Sequence, residues 1–378
     1  MALKPPVEVP QGAIRLNTDS QKLEFFAQDQ WWEMATNEPA PTAGRGVFGG
    51  WNPNSSNVIN YIQIQTRGNA VDFGDAVGGS YEGCSGASNT RGVTNMSYIS
   101  PAYTDTIQYV TIASTGNAQD FGDAVSGSYE GSSGASSTRG VTAMGYAHPA
   151  TVNTIQYVTF ATNGNAVDFG DTTAAERRTV GHSNQTRALF SGSEVPAWTS
   201  GQTDMITIAS TGNGTDFGDT SNTGASGRGA GSATRALYIG GRYTPGADAE
   251  VVEYVTIAAT GTWIDFGDLA EAGPYGSAGS NATRALYTCD NKKIDYATIA
   301  TLGNWTTFGE LTRDSHSMQE AAADSTRCVF GGGSGDQPKN ALDYVTFSTT
   351  GNATRFGELI SATAATGWGL SNTHGGLG

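Results

Sequence analysis

The sequence contains little that could build a metal centre or a disulfide framework. Its 378 residues include three cysteines, Cys84, Cys289 and Cys328, and four histidines. The cysteines are not spaced as pairs and have no matching histidines, so the pattern favours small, partly buried side chains over a disulfide network or a zinc site. We therefore predict that the protein has no cofactor and requires no metal.

Basic residues are also scarce. Lysine and arginine number 20 against 35 acidic residues, a formal net charge of −15. Sequence-independent binding to nucleic acid needs clustered cations that neutralise phosphates, so no nucleic-acid partner is expected. No stretch is long and apolar enough to span a bilayer, and the first residues lack the apolar run of a secretion signal. These absences predict no membrane insertion and no export by that route.

Glycine is abundant, with 52 residues, and much of it lies in a repeat of about 48 residues. The clearest copy is IQYVTIASTGNAQDFGD, residues 107–123. Its phenylalanine recurs seven times, as Phe73, Phe121, Phe169, Phe217, Phe266, Phe308 and Phe356. An arginine, preceded by threonine in every copy but the first, also recurs seven times, as Arg45, Arg91, Arg139, Arg187, Arg235, Arg284 and Arg327.

Each copy has the composition of four short β-strands. The Tyr-Val-Thr-Ile run is apolar on both faces, which is typical of a strand packed between two layers. Thr-Gly-Asn then supplies a hairpin turn, because glycine and asparagine tolerate a positive φ angle at little cost. Four strands in about 48 residues, repeated seven times, predict an all-β fold, a seven-bladed β-propeller.

The repeat resembles that of Kelch propellers over roughly residues 44–374. Gly49-Gly50, Gly240-Gly241 and Gly331-Gly332-Gly333 stand where Kelch repeats have their double glycine, at the end of the second strand. The third-strand tyrosine and an aromatic residue in the fourth strand also match. Phenylalanine replaces the usual tryptophan, and blades 2, 3, 4 and 6 lack the glycine pair. The resemblance implies a Kelch-like propeller, and no specific Kelch partner carries over.

The spacing of the repeat also predicts how the ring closes. The threonine before each conserved arginine lies 17 residues after the preceding phenylalanine in five repeats and 18 in the sixth. Seventeen residues after Phe356 is Thr373, within Ser371-Asn372-Thr373-His374, which matches Ser88-Asn89-Thr90-Arg91. We therefore predict that residues near 367–374 form the first strand of blade 1, whose other three strands begin at Arg45, so that no sheet edge is left open.

Two repeated elements carry charge, and each allows a functional and a structural interpretation. The Asp-Phe-Gly-Asp element could supply oxygen ligands for calcium, or its carboxylates could accept turn amides or pair with the recurring arginines. The seven arginines could line the axial channel as an anion-binding ring, or tie neighbouring strands together through aspartate or backbone carbonyls. No pairing of a nucleophile with a base stands out, so we predict that the protein is not an enzyme.

Length variation is concentrated between the second and third strands. The distance from the conserved arginine to the third-strand position occupied by tyrosine or methionine runs from 12 to 19 residues, whereas the other spacings are nearly constant. These connections should share one face of the ring. Variable loops on a rigid scaffold are where recognition usually occurs. They contain candidate binding aromatics, which could equally fill gaps between blades or pack on another subunit: Trp51, Tyr98, Tyr103, Tyr146, Trp198 and Tyr243.

Residues 1–43 lie outside the repeat and read as a small β-meander, leaving residues 44–378 for the propeller. The segments Gly12–Thr18, Lys22–Phe26 and Trp31–Glu33 resemble a module of phage tail and fibre proteins. The repeat phrase in turn resembles propeller repeats in structural proteins of marine phages, cyanophages among them. Together these resemblances imply a virion component that is assembled in the host cytoplasm.

The expected function is therefore that of a non-enzymatic virion structural protein, associated with the tail fibre or the baseplate. Its propeller would bind a host-surface glycan or protein, and residues 1–43 would bind other virion proteins. We also expect a homo-oligomer. The alternative is a purely structural or capsid-decorating protein that binds only virion partners, with a polysaccharide-degrading enzyme as a distant third.

Overall fold

The computed structural model divides the chain into two compact units, Met1–Pro41 and Thr42–Gly378, against a predicted boundary after residue 43. It describes residues 10, 12–17, 22–28, 30–33, 44–51, 57–77, 84–95, 98–99, 102–125, 127, 129–194, 200–221, 224–242, 248–273, 276–288, 292–314, 317–334, 339–360 and 365–373. All regular elements in these ranges are strands, and the described residues include no helix of the length and apolarity that a membrane span requires. The first unit is a three-stranded antiparallel sheet of β1 (Ile14–Asn17), β2 (Lys22–Ala27) and β3 (Gln30–Glu33).

The second unit contains seven four-stranded antiparallel sheets, the blades of the propeller. The strands of each blade are given from first to fourth. Blade 1 consists of β33 (Ala365–Ser371), β4 (Arg45–Trp51), β5 (Val58–Gln63) and β6 (Val71–Asp75), and blade 2 of β7 (Cys84–Ala87), β8 (Arg91–Asn95), β11 (Thr106–Thr111) and β12 (Gln119–Asp123). Blade 3 consists of β13 (Ser132–Ala135), β14 (Arg139–Ala147), β15 (Ala150–Thr159) and β16 (Val167–Asp171). Blades 4 and 5 consist of β17 (Val180–Ser183), β18 (Arg187–Ser193), β19 (Ser200–Thr207) and β20 (Thr215–Asp219); and β21 (Arg228–Gly231), β22 (Arg235–Ile239), β23 (Val251–Thr256) and β24 (Ile264–Asp268). Blades 6 and 7 consist of β25 (Ser277–Ser280), β26 (Arg284–Thr288), β27 (Lys293–Thr298) and β28 (Thr306–Glu310); and β29 (Ser317–Ala323), β30 (Arg327–Ser334), β31 (Ala341–Thr346) and β32 (Thr354–Glu358).

The predicted closure of the ring is confirmed. Strand β33 pairs antiparallel with β4, with Leu370 opposite Val47 and Trp368 opposite Gly49. Thr373, the residue reached by the 17-residue count, is 1% exposed. Blade 1 therefore combines a strand from the end of the chain with three strands from the start of the repeat.

The repeated phenylalanine occupies a β-bulge in the fourth strand of its blade. In blade 2, Ile107 pairs with Gly122 and Gln108 with Asp120, which leaves Phe121 as the extra residue. The same register shift occurs in all seven blades. The bulged ring is buried and packs edge-on against the third-strand tyrosine, 5.7 Å between the centroids of Tyr109 and Phe121. The Phe-Gly pair, preceded by aspartate in five of the seven blades, thus places an aromatic ring in the core of every blade.

A polar residue precedes the tyrosine of each third strand, or the methionine in blade 4, inside an otherwise apolar run. Its side chain is buried and accepts a hydrogen bond from a backbone amide that follows the fourth strand of the preceding blade. The donor–acceptor distances are 2.6–3.2 Å, and the seven bonds form a closed ring. The seven residues are Asn60, Gln108, Gln156, Asp204, Glu253, Asp295 and Asp343. Sequence reasoning missed this ring, although the recurrence of a polar residue before each tyrosine or methionine was the available signal.

Blades 4 to 7 use a carboxylate at this position where blades 1 to 3 use an amide, and this difference predicts a pH effect. Burial raises the pKa of Asp295, so the folded state holds the proton more tightly than the unfolded state does. The resulting stabilisation is present below the unfolded pKa of about 3.9 and is lost as the pH rises through the folded pKa. We expect Asp295→Asn to raise the free energy of unfolding at pH 7 by roughly 0.5–1.5 kcal/mol.

Asn60 shows that a side-chain amide can occupy this position, because its Oδ1 atom accepts a hydrogen bond from the backbone N–H of Ile360 at 2.9 Å. Urea unfolding of the parent and of Asp295→Asn at pH 3.5 and pH 7 measures the effect. The gain should be present at pH 7 and vanish at pH 3.5, where the parent side chain is protonated. A variant that is less stable than the parent at pH 7 contradicts the prediction.

Of the three cysteines, Cys328 has a described side chain. It is a buried free thiol whose pKa is raised by that burial, in keeping with a packing role. Cys289 and the side chain of Cys84 lie outside the described residues.

Candidate functional site

The connections between second and third strands lie on one face of the ring, here called the loop face. Consecutive strands of a blade are antiparallel, so these connections share their face with the segments that link one blade to the next. The opposite face carries the short Ser-Asn-Thr-Arg and Thr-Gly-Asn turns. The loop face therefore contains the variable part of every repeat.

The structure describes the six candidate aromatics to different extents. Tyr98 and Tyr103 stand directly opposite each other in a short hairpin of β9 (Tyr98–Ile99) and β10 (Ala102–Tyr103), between the second and third strands of blade 2. Trp51 is the last residue of β4. The side chains of these three residues lie outside the described part of the chain, as do Trp198 and Tyr243 altogether.

Tyr146 is the one candidate whose side chain is described, and it is packed rather than free. It lies on the extension of β14 beyond the blade, opposite Thr151. Its ring centroid is 5.4 Å from that of Tyr129 and 6.0 Å from that of His148, and the Cζ atom of Arg177 lies 5.5 Å from its centre. Tyr146 therefore holds the projecting hairpin of blade 3 against the neighbouring segment, and only the part of its ring left uncovered can contact a partner.

Two arginines and two glutamates join blades 3 and 4 on the loop face. Arg178 bridges Glu130 at 2.7 Å and Glu194 at 3.0 Å, and Arg177 bridges the same two carboxylates at 3.3 and 3.1 Å. The Glu130 side chain is 6% exposed, so its carboxylate is shielded from solvent, whereas the two arginines are 27% and 30% exposed. Sequence reasoning missed this cluster, because Glu130 and Glu194 do not stand out within the repeat.

The seven repeated arginines bind the next blade through its backbone. Each Nη1 atom donates to a carbonyl at the end of the third strand of the following blade, as from Arg139 to Ile208 at 3.0 Å, and Arg327 closes the ring by donating to Gln65 at 2.9 Å. In six blades the guanidinium also lies over the tyrosine of its own blade, 4.4–5.0 Å from the ring centroid. Of the two interpretations left open by the sequence, the geometry supports the structural tie through backbone carbonyls.

Blade 4 offers a natural control for this contact, because Met205 replaces the tyrosine beneath Arg187. Arg139→Ala and Arg187→Ala each remove a 3.0 Å bond to a carbonyl of the next blade. Only the first also removes a cation–π contact, with Tyr157 at 4.5 Å. We expect Arg139→Ala to lower the free energy of unfolding by about 0.5–1 kcal/mol more than Arg187→Ala does. If both variants lose the same free energy of unfolding in urea, the cation–π contact with the tyrosine does not stabilise the contact between blades.

The first carboxylate of each Asp-Phe-Gly-Asp element bonds within its own turn. The Oδ1 atom of the first aspartate accepts the amide of the glycine two residues later at 2.9–3.1 Å in five blades. The amide of the second acidic residue donates to a hairpin asparagine of the next blade at 3.0–3.2 Å in six blades. Within the described ranges, no three His, Cys, Asp or Glu side chains form a group that could hold a metal. That the protein requires no metal remains a prediction.

The axial channel is lined by uncharged residues near the short-turn face. A cavity of about 380 Å³ opens there between the first strands, lined in part by Ser85, Ser133, Ser183 and Ser280. Three of these hydroxyls bond the backbone of the preceding blade's first strand: Ser133 donates to the carbonyl of Ser85 at 2.8 Å, and Ser183 and Ser280 accept from the amides of Ala135 and Gly231.

His182 is buried beside Trp263, and burial lowers its pKa to about 3, so the imidazole is neutral at pH 7.

This chain is similar to known proteins in its fold. The solved structure of YjhT superposes with a TM-score of 0.56 at 10% sequence identity, over 73% of this chain and 97% of YjhT. That likeness shows a shared β-propeller fold. No family model matches the chain, and no curated protein sequence is similar to it.

Proposed function

We propose that this chain is a non-enzymatic structural protein of a phage particle, associated with the tail fibre or baseplate. Its loop face would bind a glycan or a protein of the host surface, and residues 1–43 would attach it to other virion proteins. The protein would be assembled in the host cytoplasm. The phage assignment draws on the resemblance of the N-terminal segment and of the repeat phrase to phage structural proteins.

The recognition role is carried by the contrast between the body of the propeller and its loop face. Two closed rings of hydrogen bonds repeat around the body: the arginines donate to backbone carbonyls, and the buried third-strand side chains accept from backbone amides. The connections on the loop face instead differ from blade to blade, as a separate hairpin in blade 2 and a strand extension in blade 3. A rigid scaffold beneath differing connections suits recognition.

The test is adsorption by phage that carry Tyr103→Ala, Tyr146→Ala and Trp198→Ala together. We expect the adsorption rate to fall at least tenfold while particle yield is unchanged, because residues of the connections contribute little to the blade cores. Val167→Ala is the matched control, since this residue is 52% exposed on the fourth strand of blade 3 and lies away from the connections. Adsorption equal to that of the parent would remove the recognition role.

A purely structural or capsid-decorating role is the second candidate, and the environment of Tyr146 favours it. The ring packs against Tyr129, His148 and Arg177 within one chain, which is what a packing aromatic does. Under this alternative the triple variant would assemble fewer or less stable particles, and the particles that form would adsorb normally.

A further inference from the structure

The N-terminal sheet has one face without charge. Its register places Ile14 opposite Phe25, Leu16 opposite Leu23, and Phe25 opposite Trp32. Cross-strand partners share a face of the sheet. That face, here called the apolar face, consists of Ile14, Leu16, Leu23, Phe25, Ala27, Gln30 and Trp32. Six of its seven residues are apolar and none is charged.

On the opposite face, an arginine is paired with a carboxylate and stacked on an aromatic ring. Arg15 bonds Glu24 at 2.7 Å, and its Cζ atom lies 4.1 Å from the ring centre of Trp31. Phe26 packs edge-on against the same tryptophan, with 5.3 Å between centroids. The guanidinium thus covers an aromatic ring and is neutralised by a carboxylate, an arrangement suited to solvent.

The sheet spans 20 residues, Ile14–Glu33, in three strands of four to six residues. Folds below about 40 residues usually depend on disulfides, metals or oligomerisation for their stability. Ile14, on the apolar face, is 64% exposed. The apolar face therefore requires a cover.

We propose that the cover is the apolar face of further copies of this chain, so that residues 14–33 form a homo-oligomerisation module. Full burial of residues of these types removes roughly 600–800 Å² of surface per copy, close to the ~800 Å² per partner of a stable interface. In a dimer the contact is isologous, with the same patch on each copy. It leaves the opposite face, which carries Arg15, for contacts with other proteins, and it does not depend on the proposed function.

Charge supports a self-complementary contact. The three strands carry Arg15 and Lys22 against Glu24 and Glu33, a net charge of zero in a chain of −15. Copies of the chain therefore meet at this sheet without the repulsion that acts between their acidic remainders. A partner selected by the acidic chain would instead need a basic surface, which an uncharged face does not complement.

The test compares two substitutions that add the same charge to opposite faces of β1. Ile14→Glu places a carboxylate on the apolar face, and Asn17→Glu places one on the other face beside Lys22. In sedimentation equilibrium, we expect the parent and Asn17→Glu to have at least twice the monomer mass and Ile14→Glu to have the monomer mass. A chain lacking residues 1–41 should also be monomeric, with the propeller melting at the same temperature in all four proteins.

Three results would overturn the proposal: a monomeric parent, an Ile14→Glu variant with the parental mass, or an oligomer that survives removal of residues 1–41. A monomeric parent would assign the apolar face to a different protein. None of these results bears on adsorption through the loop face, so the two proposals fail separately.

Discussion

Removal of residues 361–378 takes the first strand from blade 1, and we expect the truncated protein to lose its cooperative fold and aggregate. Trp368 and Leu370 are each 7% exposed and belong to the core between blades 1 and 2. Losing buried side chains of these sizes costs about 3–5 kcal/mol each, out of a typical total stability of 5–15 kcal/mol. The deletion also removes the bond from the Arg45 amide to Asn372 at 2.8 Å and leaves β4 as an open edge.

Thermal melting and light scattering on a sizing column measure this effect. The control is a chain that ends at Thr373, which keeps all of β33 and should melt like the parent. A truncated protein that stays monomeric with an unchanged melting curve would show that the end of the chain is not needed to close the ring.

A methyl group at Gly122 should be among the most damaging small substitutions in the protein. Gly122 has a φ angle of +142°, and a Cβ atom there would lie 2.4 Å from the carbonyl carbon of Gly164 in the hairpin of the next blade. The amide of Gly164 donates to the carbonyl of Phe121 at 2.7 Å, so the clash falls on backbone that holds two blades together. We expect Gly122→Ala to lower the free energy of unfolding by about 3–5 kcal/mol, as severe overpacking and backbone strain do.

Gly164 is itself the matched control. Its φ angle is +154°, and a Cβ atom there would meet nothing within 4 Å. Gly164→Ala therefore has the backbone strain without the clash, and it should lower the free energy of unfolding by about 1–2 kcal/mol. The difference between the two variants in urea unfolding isolates the contact between blades. If they unfold at the same urea concentration, the approach of neighbouring blades at this point does not constrain the residue.

The predictions of blade number and ring closure depended on the spacing of repeated residues, and the structure confirms both. The seven phenylalanines predicted seven blades, and the count from Phe356 to Thr373 predicted that the last strand would complete blade 1. Each strand packs in the same way in every copy, so one pattern of apolar and turn residues is repeated along the chain. The environment of Tyr146 was not predictable in this way, because Tyr129 and Arg177 lie outside the regular strands and contribute no periodic signal.

The sequence by itself determined the number of blades, the four strands of each, and the closure of the ring. Each of these depends on the order and spacing of residues within one repeat, which the chain displays directly. The tertiary structure alone decided the partners between blades. Arg139 lies 69 residues before the carbonyl of Ile208 that it binds, and Gln156 accepts the amide of Val125. Such a partner is selected by the rotation between blades and by the bulge at each phenylalanine, which determine the atoms that come within hydrogen-bonding distance.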